Sequence, residues 1–332
     1  MFVGGDFLAH IHLFCVIFGI FLLYLGGNYL LNSSVNIATY FQVPNLLIGV
    51  VIVSLSTSSP ELFTSLIASL KGKNEIIVSN IIGSNIINML LALPLTGVFL
   101  RIKTDFKRLK FSFIILFLLM FLLLLFSFDF GTLSFFKVPY HRTSSLVILI
   151  LFLSYLFLFY KEEKKYNSVP KNLENFNCNY GFNFLFLNTL LLLLSIYFLY
   201  FGSKLLIDSS IYIAHNVFNI SEKVIGIIFV AFGTSIPEIV VSLFAVIKKE
   251  SDIALGNIIG SNIFNIGFIL SSSSFVNPVL MSDIYLADFS IMFVVSLMLL
   301  FIVRFRGAFS RGPAILFLCL YILYNSFLFG VF

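Results

Sequence analysis

The chain has 332 residues, 60% of them hydrophobic and 11% charged, with a formal net charge of +5. An ordinary water-soluble domain carries about 25% charged residues, so composition excludes that class. The basic excess lies between apolar runs, where membrane topology accounts for it, and it implies no nucleic-acid partner.

The apolar runs are continuous and long enough to cross a bilayer as helices, unlike the short alternating segments of a β-barrel. Ten spans are expected, at about 11–37, 44–70, 76–100, 109–128, 144–160, 182–214, 224–247, 253–276, 284–303 and 313–331. The first reads as a retained span and not as a cleaved signal peptide. The polar stretch 161–181 separates a first five-helix repeat, residues 1–160, from a second, residues 182–332, and is expected to be a cytoplasmic linker. Five spans per half is odd, so the second half must enter the membrane the opposite way up. The expected fold is an all-α polytopic membrane protein of ten transmembrane helices in two inverted five-helix repeats. With the N-terminus outside, cytoplasmic loops hold 14 Lys and Arg and outer loops five. That bias sets both termini outside. The compact loops point to a prokaryotic inner membrane. Cys15, Cys178 and Cys319 are far apart and odd in number, so neither a disulfide framework nor a zinc spacing follows.

One stretch of the first half recurs in the second. Thr57-Ser58-Ser59-Pro60-Glu61 returns as Thr234-Ser235-Ile236-Pro237-Glu238, and Asn80 to Ile86 returns unchanged as Asn257 to Ile263. Both share a shift of 177, and 18 of 39 positions agree between Val51–Met89 and Ile228–Ile266. The ion-binding motifs are therefore set at 51–89 and 228–266. The match extends to Gly26–Ala38 and Gly202–Ala214 at a shift of 176. Glu61 and Glu238 fall near the middle of apolar spans, where a charged carboxylate costs roughly 2.5–3.5 kcal/mol on insertion scales. A bound cation is the simplest compensation. Asn88 and Asn265 fall at a similar depth in the next spans.

Pro60 and Pro237 each remove a helical hydrogen bond, which frees carbonyls near Ser56–Thr57 and Gly233–Thr234. Irregular backbone at that depth is tolerated where it lines a polar cavity. Carbonyls, hydroxyls and carboxylates are hard ligands suited to sodium or calcium, and neither motif contains the Cys or His that zinc or copper favour. Asn80, Ser84 and Asn88 lie on one helix face, as do Asn257, Ser261 and Asn265. Asn80 and Asn257 fit equally a ligand role and a helix-bridging role. Ser65 and Ser242 read as packing serines. Gly26, Gly27 and Gly202 suit close packing or a gate. Lys107, Arg108 and Lys110 read as topology signals, and Asp208 as a solvated interfacial acid.

These residues resemble the repeats of the sodium/calcium exchanger family, the calcium:cation antiporters. The family pattern G-T-S-x-P-E with G-N-x-x-G-S-N stands here as Ser56 to Glu61 with Ser79 to Asn85, and as Gly233 to Glu238 with Gly256 to Asn262. The resemblance implies exchange of calcium for sodium by alternating access, with no catalytic residue, cofactor or obligatory protein partner. It implies ion ligands as follows: carboxylates from Glu61 and Glu238, carbonyls from Thr57 and Thr234, hydroxyls from Ser58, Ser84, Ser235 and Ser261, and amide oxygens from Asn88 and Asn265. Carbonyls of Ser54 and Ala231 would serve a sodium site. The first and sixth spans would slide as a gate. Ser56 and Ser79 stand where the family has glycine, and Asn265 where some relatives carry Asp. A cation/proton antiporter is the main alternative, with Glu61 and Glu238 as proton carriers. A channel is disfavoured, because the duplication places its pseudo-symmetry inside one chain.

Overall fold

Backbone groups in hydrocarbon need partners within the protein, which favours helix along the apolar runs. The structure, a computed structural model, describes residues 3–41, 44–103, 105–129, 139–164, 182–216, 232–280 and 285–328. Its helices are α1 (Val3–Phe41), α2 (Ile48–Thr57), α3 (Ser59–Leu70), α4 (Asn74–Phe99), α5 (Phe106–Phe126), α6 (Arg142–Glu163), α7 (Phe182–Asn216), α8 (Ile236–Ile247), α9 (Ser251–Val276), α10 (Leu286–Arg306) and α11 (Arg311–Leu328). Among the described residues, seven helices are long and apolar enough to cross a membrane, or eight when α2 and α3 count as one bent span. Helix α8 is apolar but only 12 residues long, and the residues 217–231 before it lie outside the described set. The protein is thus a helical integral membrane protein.

The breaks follow the sequence. Helices α2 and α3 meet at a 50° bend, with Pro60 in the first turn of α3. Proline has no N–H to give the carbonyl four residues back, so the helix cannot run straight through. Helices α3 and α8 end in the same way. The Lys73 amide bonds the Ala68 carbonyl (2.9 Å) and the Gly72 amide that of Ser69 (3.0 Å). The Glu250 amide bonds the Ala245 carbonyl (2.7 Å) and the Lys249 amide that of Val246 (2.9 Å). This is the Schellman motif, which needs one left-handed residue. Gly72 supplies it at φ 66° and, 177 residues later, Lys249 at φ 64°.

Helices α4 and α9 form the enclosed centre, while α1 and α7 lie at the periphery with broad exposed apolar faces. Gly260 lets α9 meet the backbone of α2, since a Cβ there would come within 2.7 Å of the Val50 carbonyl. Helices α1 and α7 pack extensively along each other. A Cβ at Gly26 would lie 2.9 Å from Leu199, and one at Gly202 would lie 2.9 Å from the Gly19 carbonyl. Two backbone straps tie the connectors. Strands β1 (Ile102–Lys103) and β2 (Ala308–Phe309) pair antiparallel, and Tyr140 exchanges amide hydrogen bonds with Val279 (2.8 and 3.3 Å).

Two sequence expectations change. Helix α6 runs to Glu163, three residues into the stretch read as linker, and residues 165–181 of that stretch lie outside the described residues. Glu163 is held by Arg108, whose guanidinium reaches Glu163 Oε2 at 2.6 Å and Asp252 Oδ2 at 2.6 Å. Arg108 therefore joins the start of α5 and the end of α6 to the start of α9, beyond the topological role read from the sequence.

Candidate ion-binding site

Each proline break leaves a fresh helix start, and each places its carboxylate there: Glu61 in the first turn of α3, Glu238 in the first turn of α8. Unpaired amides at a helix start favour negative charge. Both residues are fully buried. Neither glutamate is in a salt bridge with a described residue, and Lys204 is exposed, so neither reads as a salt-bridged structural acid.

The four motif helices interlock by contacts that repeat across the two halves. Asn80 Nδ2 donates to Ser65 Oγ (3.0 Å) and to the Glu61 carbonyl (3.3 Å), while Asn257 Nδ2 donates to Ser242 Oγ (3.0 Å) and to the Glu238 carbonyl (3.4 Å). The asparagine oxygens accept from the opposite half: Asn80 Oδ1 from Thr234 Oγ1 at 3.1 Å, Asn257 Oδ1 from Thr57 Oγ1 at 3.0 Å. Asn80 and Asn257 are thus bridging residues with their amides fully engaged. Ser65 and Ser242, read as packing serines, are the acceptors that orient them.

The carboxylates are reached from both halves. Ser58 Oγ donates to Glu238 Oε1 at 2.8 Å, and Ser261 Oγ to the same oxygen at 3.4 Å. Ser84 Oγ lies 3.5 Å from Glu61 Oε1 and 3.4 Å from Thr234 Oγ1. One turn deeper, α4 and α9 widen into π-helical turns at Asn88–Ala92 and Asn265–Leu270. Such turns re-aim side chains and recur at functional sites. Asn88 Nδ2 donates to Asn262 Oδ1 (3.0 Å) and Asn265 Nδ2 to Asn85 Oδ1 (2.8 Å). Asn85 and Asn262 also exchange contacts with each other's carbonyls, both at 3.4 Å. Neither residue is among the ligands expected from the sequence. Their signal was present, since each is the last letter of the duplicated Gly-Ser-Asn.

What remains is a set of buried oxygens with no donor: Glu61 Oε2, Glu238 Oε2, Asn88 Oδ1, Asn265 Oδ1 and Ser235 Oγ. Four of the five are paired across the repeats, and all four are acceptors. A buried acceptor without a partner costs roughly 1–3 kcal/mol, more when charged. Buried hard oxygens of this kind are the ligands that suit a desolvated cation such as Ca²⁺, which takes 6–8 oxygens. Hydrogen bonds thus join Ser84 to Glu61 and Thr234, Ser58 and Ser261 to Glu238, and Thr57 to Asn257, while Asn88 and Asn265 lie one turn further along α4 and α9 and Ser235 is buried beside Thr234. Ser54 is also buried. Its hydroxyl donates to the Val50 carbonyl, and its own carbonyl accepts from the Ser58 amide (2.9 Å) and Thr57 Oγ1 (3.3 Å). Ala231 lies outside the described residues.

A helical membrane protein with mirrored acids and amides buried between crossing helices belongs to the class of cation carriers. The particular family follows from comparison with known proteins. The family profile described as "Sodium/calcium exchanger protein" matches residues 11–161 and 187–330, and the chain belongs to that family. The chain is 32% identical to the uncharacterized membrane protein MJ0091 of Methanocaldococcus jannaschii, over 92% of this chain and 94% of that protein. It is 27% identical to the sodium/calcium exchanger MaX1 of Methanosarcina acetivorans, over 95% and 98%. Among solved structures, the sodium-calcium exchanger NCX_Mj superposes with a TM-score of 0.79 at 31% identity, covering 96% of this chain and 99% of that one.

Proposed function

We propose that the protein exchanges Ca²⁺ for Na⁺ across a prokaryotic plasma membrane by alternating access. It is a ten-span inverted repeat, residues 1–163 and 182–332 joined by a cytoplasmic linker, with both termini outside. The observation that carries this reading is the mirrored quartet of donor-free acceptors, Glu61 Oε2, Glu238 Oε2, Asn88 Oδ1 and Asn265 Oδ1. Two carboxylates balance one divalent ion or two monovalent ions. The same oxygens therefore serve both cargoes in turn, and that competition couples the fluxes.

Glu61 and Glu238 are the shared ligands. Ser58, Ser84, Ser235 and Ser261 add hydroxyls, Asn88 and Asn265 add amide oxygens, and Thr57 and Thr234 add carbonyls. Ser54 joins as a carbonyl ligand once the Thr57 hydroxyl turns away from it, with Ala231 as its counterpart. Asn80, Asn257, Asn85 and Asn262 hold the ligands in place from behind. Helices α1 and α7 act as the gate, sliding along the body that carries the site. The likeness to NCX_Mj and the kinship with MaX1, both named as sodium/calcium exchangers, support the choice of ions.

The test is calcium flux in proteoliposomes under imposed sodium, potassium or proton gradients, one at a time. Uptake driven by an outward sodium gradient is expected. Uptake driven by a pH gradient alone, with sodium ineffective, would replace this reading with a cation/proton antiporter. Unitary currents would replace it with a channel.

A further inference from the structure

The two halves differ in how α1 and α7 are fastened to the rest of the molecule. The straps β1–β2 and Tyr140–Val279 tie connectors between α4, α5, α6, α9, α10 and α11, and all of their paired residues lie outside α1 and α7. Their positions are themselves related by the repeat, since Ile102 and Val279 are 177 apart. Helices α1 and α7 are held to each other by the glycine crossings and by Asn36 Nδ2 donating to Asn188 Oδ1 at 2.8 Å, while toward the body α1 packs on α8 through apolar contacts, Gly27 against Val240 and Tyr24 against Phe244. The pair therefore has the means to move as one piece against a strapped body.

One polar fastening joins that pair to the end of α8. Lys248 Nζ donates to Asn28 Oδ1 (2.7 Å) and to Asn32 Oδ1 (2.5 Å). The two asparagines are one turn apart on α1, and Asn32 Nδ2 leans back on Asn28 Oδ1 at 3.4 Å. The internal duplication says what stands at the mirrored place. Lys248 corresponds to Lys71, at the end of α3 in the same Schellman turn, and α3 packs on α7. Asn28 and Asn32 correspond to Lys204 and Asp208 on α7. Lys71, Lys204 and Asp208 are exposed, and no ion pair joins Lys71 to Asp208 in this structure.

In an inverted repeat, each half adopts in one access state the arrangement that the other half holds in the opposite state. A contact made in one half only is then a marker of state. We propose that Lys248 with Asn28 and Asn32, and Lys71 with Asp208, are two alternating latches at opposite membrane faces, each holding the α1–α7 pair in one of its two positions. This rests on the alternating-access reading above. The latches differ in chemistry: the first is a cation held by two amide oxygens, the second an ion pair for which Lys204, one turn before Asp208, competes.

Two experiments test the proposal. In proteoliposomes with the protein inserted one way round, half-saturating calcium is measured at each face. Lys248→Met removes the latch seen here and Asp208→Asn the other. The ratio of the two half-saturations should move roughly threefold to tenfold in opposite directions, and the double variant should return near the wild-type ratio. Shifts of the same sign, or no shift in either variant, would overturn the proposal; a general folding defect lowers the maximal rate without opposing shifts in the ratio. The second experiment does not depend on which ion is carried. In a background with Cys15, Cys178 and Cys319 replaced by serine, Asn32→Cys with Lys248→Cys and Lys71→Cys with Asp208→Cys are introduced together. Each pair should cross-link, but a molecule closed at one should resist closure at the other. Both cross-links forming in the same molecule would sink the latch model while leaving exchange itself intact. Absence of sodium-driven uptake by the wild type, with mutually exclusive cross-links, would instead leave the latches and remove the ion assignment.

Discussion

Glu238→Gln isolates charge from shape. Glutamine fills the same volume, and its amide oxygen still accepts from Ser58 Oγ at 2.8 Å and Ser261 Oγ at 3.4 Å. The buried network therefore keeps its contacts and loses one negative charge. At an effective dielectric of about 20, a unit charge pair about 4 Å apart is worth about 4 kcal/mol. A sodium ion thus loses about 4 kcal/mol and a doubly charged calcium about 8, which at about 1.4 kcal/mol per decade is about three and about six decades of affinity. The variant should fold, insert and show no calcium uptake, with residual sodium binding only at high concentration. Thermal unfolding in detergent reads binding without transport, because an ion at a hundredfold over its dissociation constant adds about 2.7 kcal/mol of stability. Calcium should raise the unfolding temperature of the wild type and leave that of the variant unmoved. Equal protection of both proteins by calcium would remove Glu238 from the site. Glu61→Gln should behave alike, because its backbone setting and its contact to the α4 serine repeat those of Glu238.

Three further outcomes are expected. Asn265→Asp adds a third carboxylate and removes the donor to Asn85 Oδ1, so the ratio of half-saturating sodium to half-saturating calcium should rise; unchanged ion dependence would show that the position is a bystander. Arg108→Met strands Glu163, which is 1% exposed, at a cost of about 3–5 kcal/mol, whereas Asp252→Asn at a 40% exposed site should cost under about 1 kcal/mol. Denaturation in detergent checks that ranking, and equal losses would mean that the cluster is not a buried clamp. Lys249→Gly relieves a left-handed lysine and should stabilise the protein by about 1 kcal/mol, seen as a higher unfolding temperature; a drop would mean that the side chain makes a compensating contact.

The Arg108 cluster and the asparagine pairs mark where linear reading stops. Arg108, Glu163 and Asp252 come from three apolar runs with no common spacing, so nothing along the chain brings them together. Asn85 and Asn262 carried a signal as repeated letters, but each acts on its counterpart 177 residues away. The fate of Asn80 and Asn257 was equally undecidable in one dimension, because both roles use the same helix face. Only the crossing of α4 with the start of α8, and of α9 with the end of α2, shows that their oxygens accept from Thr234 and Thr57.

Composition and duplication decided the class and the chemistry. Long apolar runs leave the backbone no alternative to helix in a bilayer, and an acid placed twice at mid-span needs a positive partner. Proline at Pro60 and Pro237 located the helix starts, since a missing N–H breaks the ladder wherever the chain folds. Tertiary structure decided which oxygens are spent on holding the helices together and which are left to receive an ion. That division depends on side chains meeting across elements, and a hydrogen bond is set by distance in space, to which separation along the chain is indifferent.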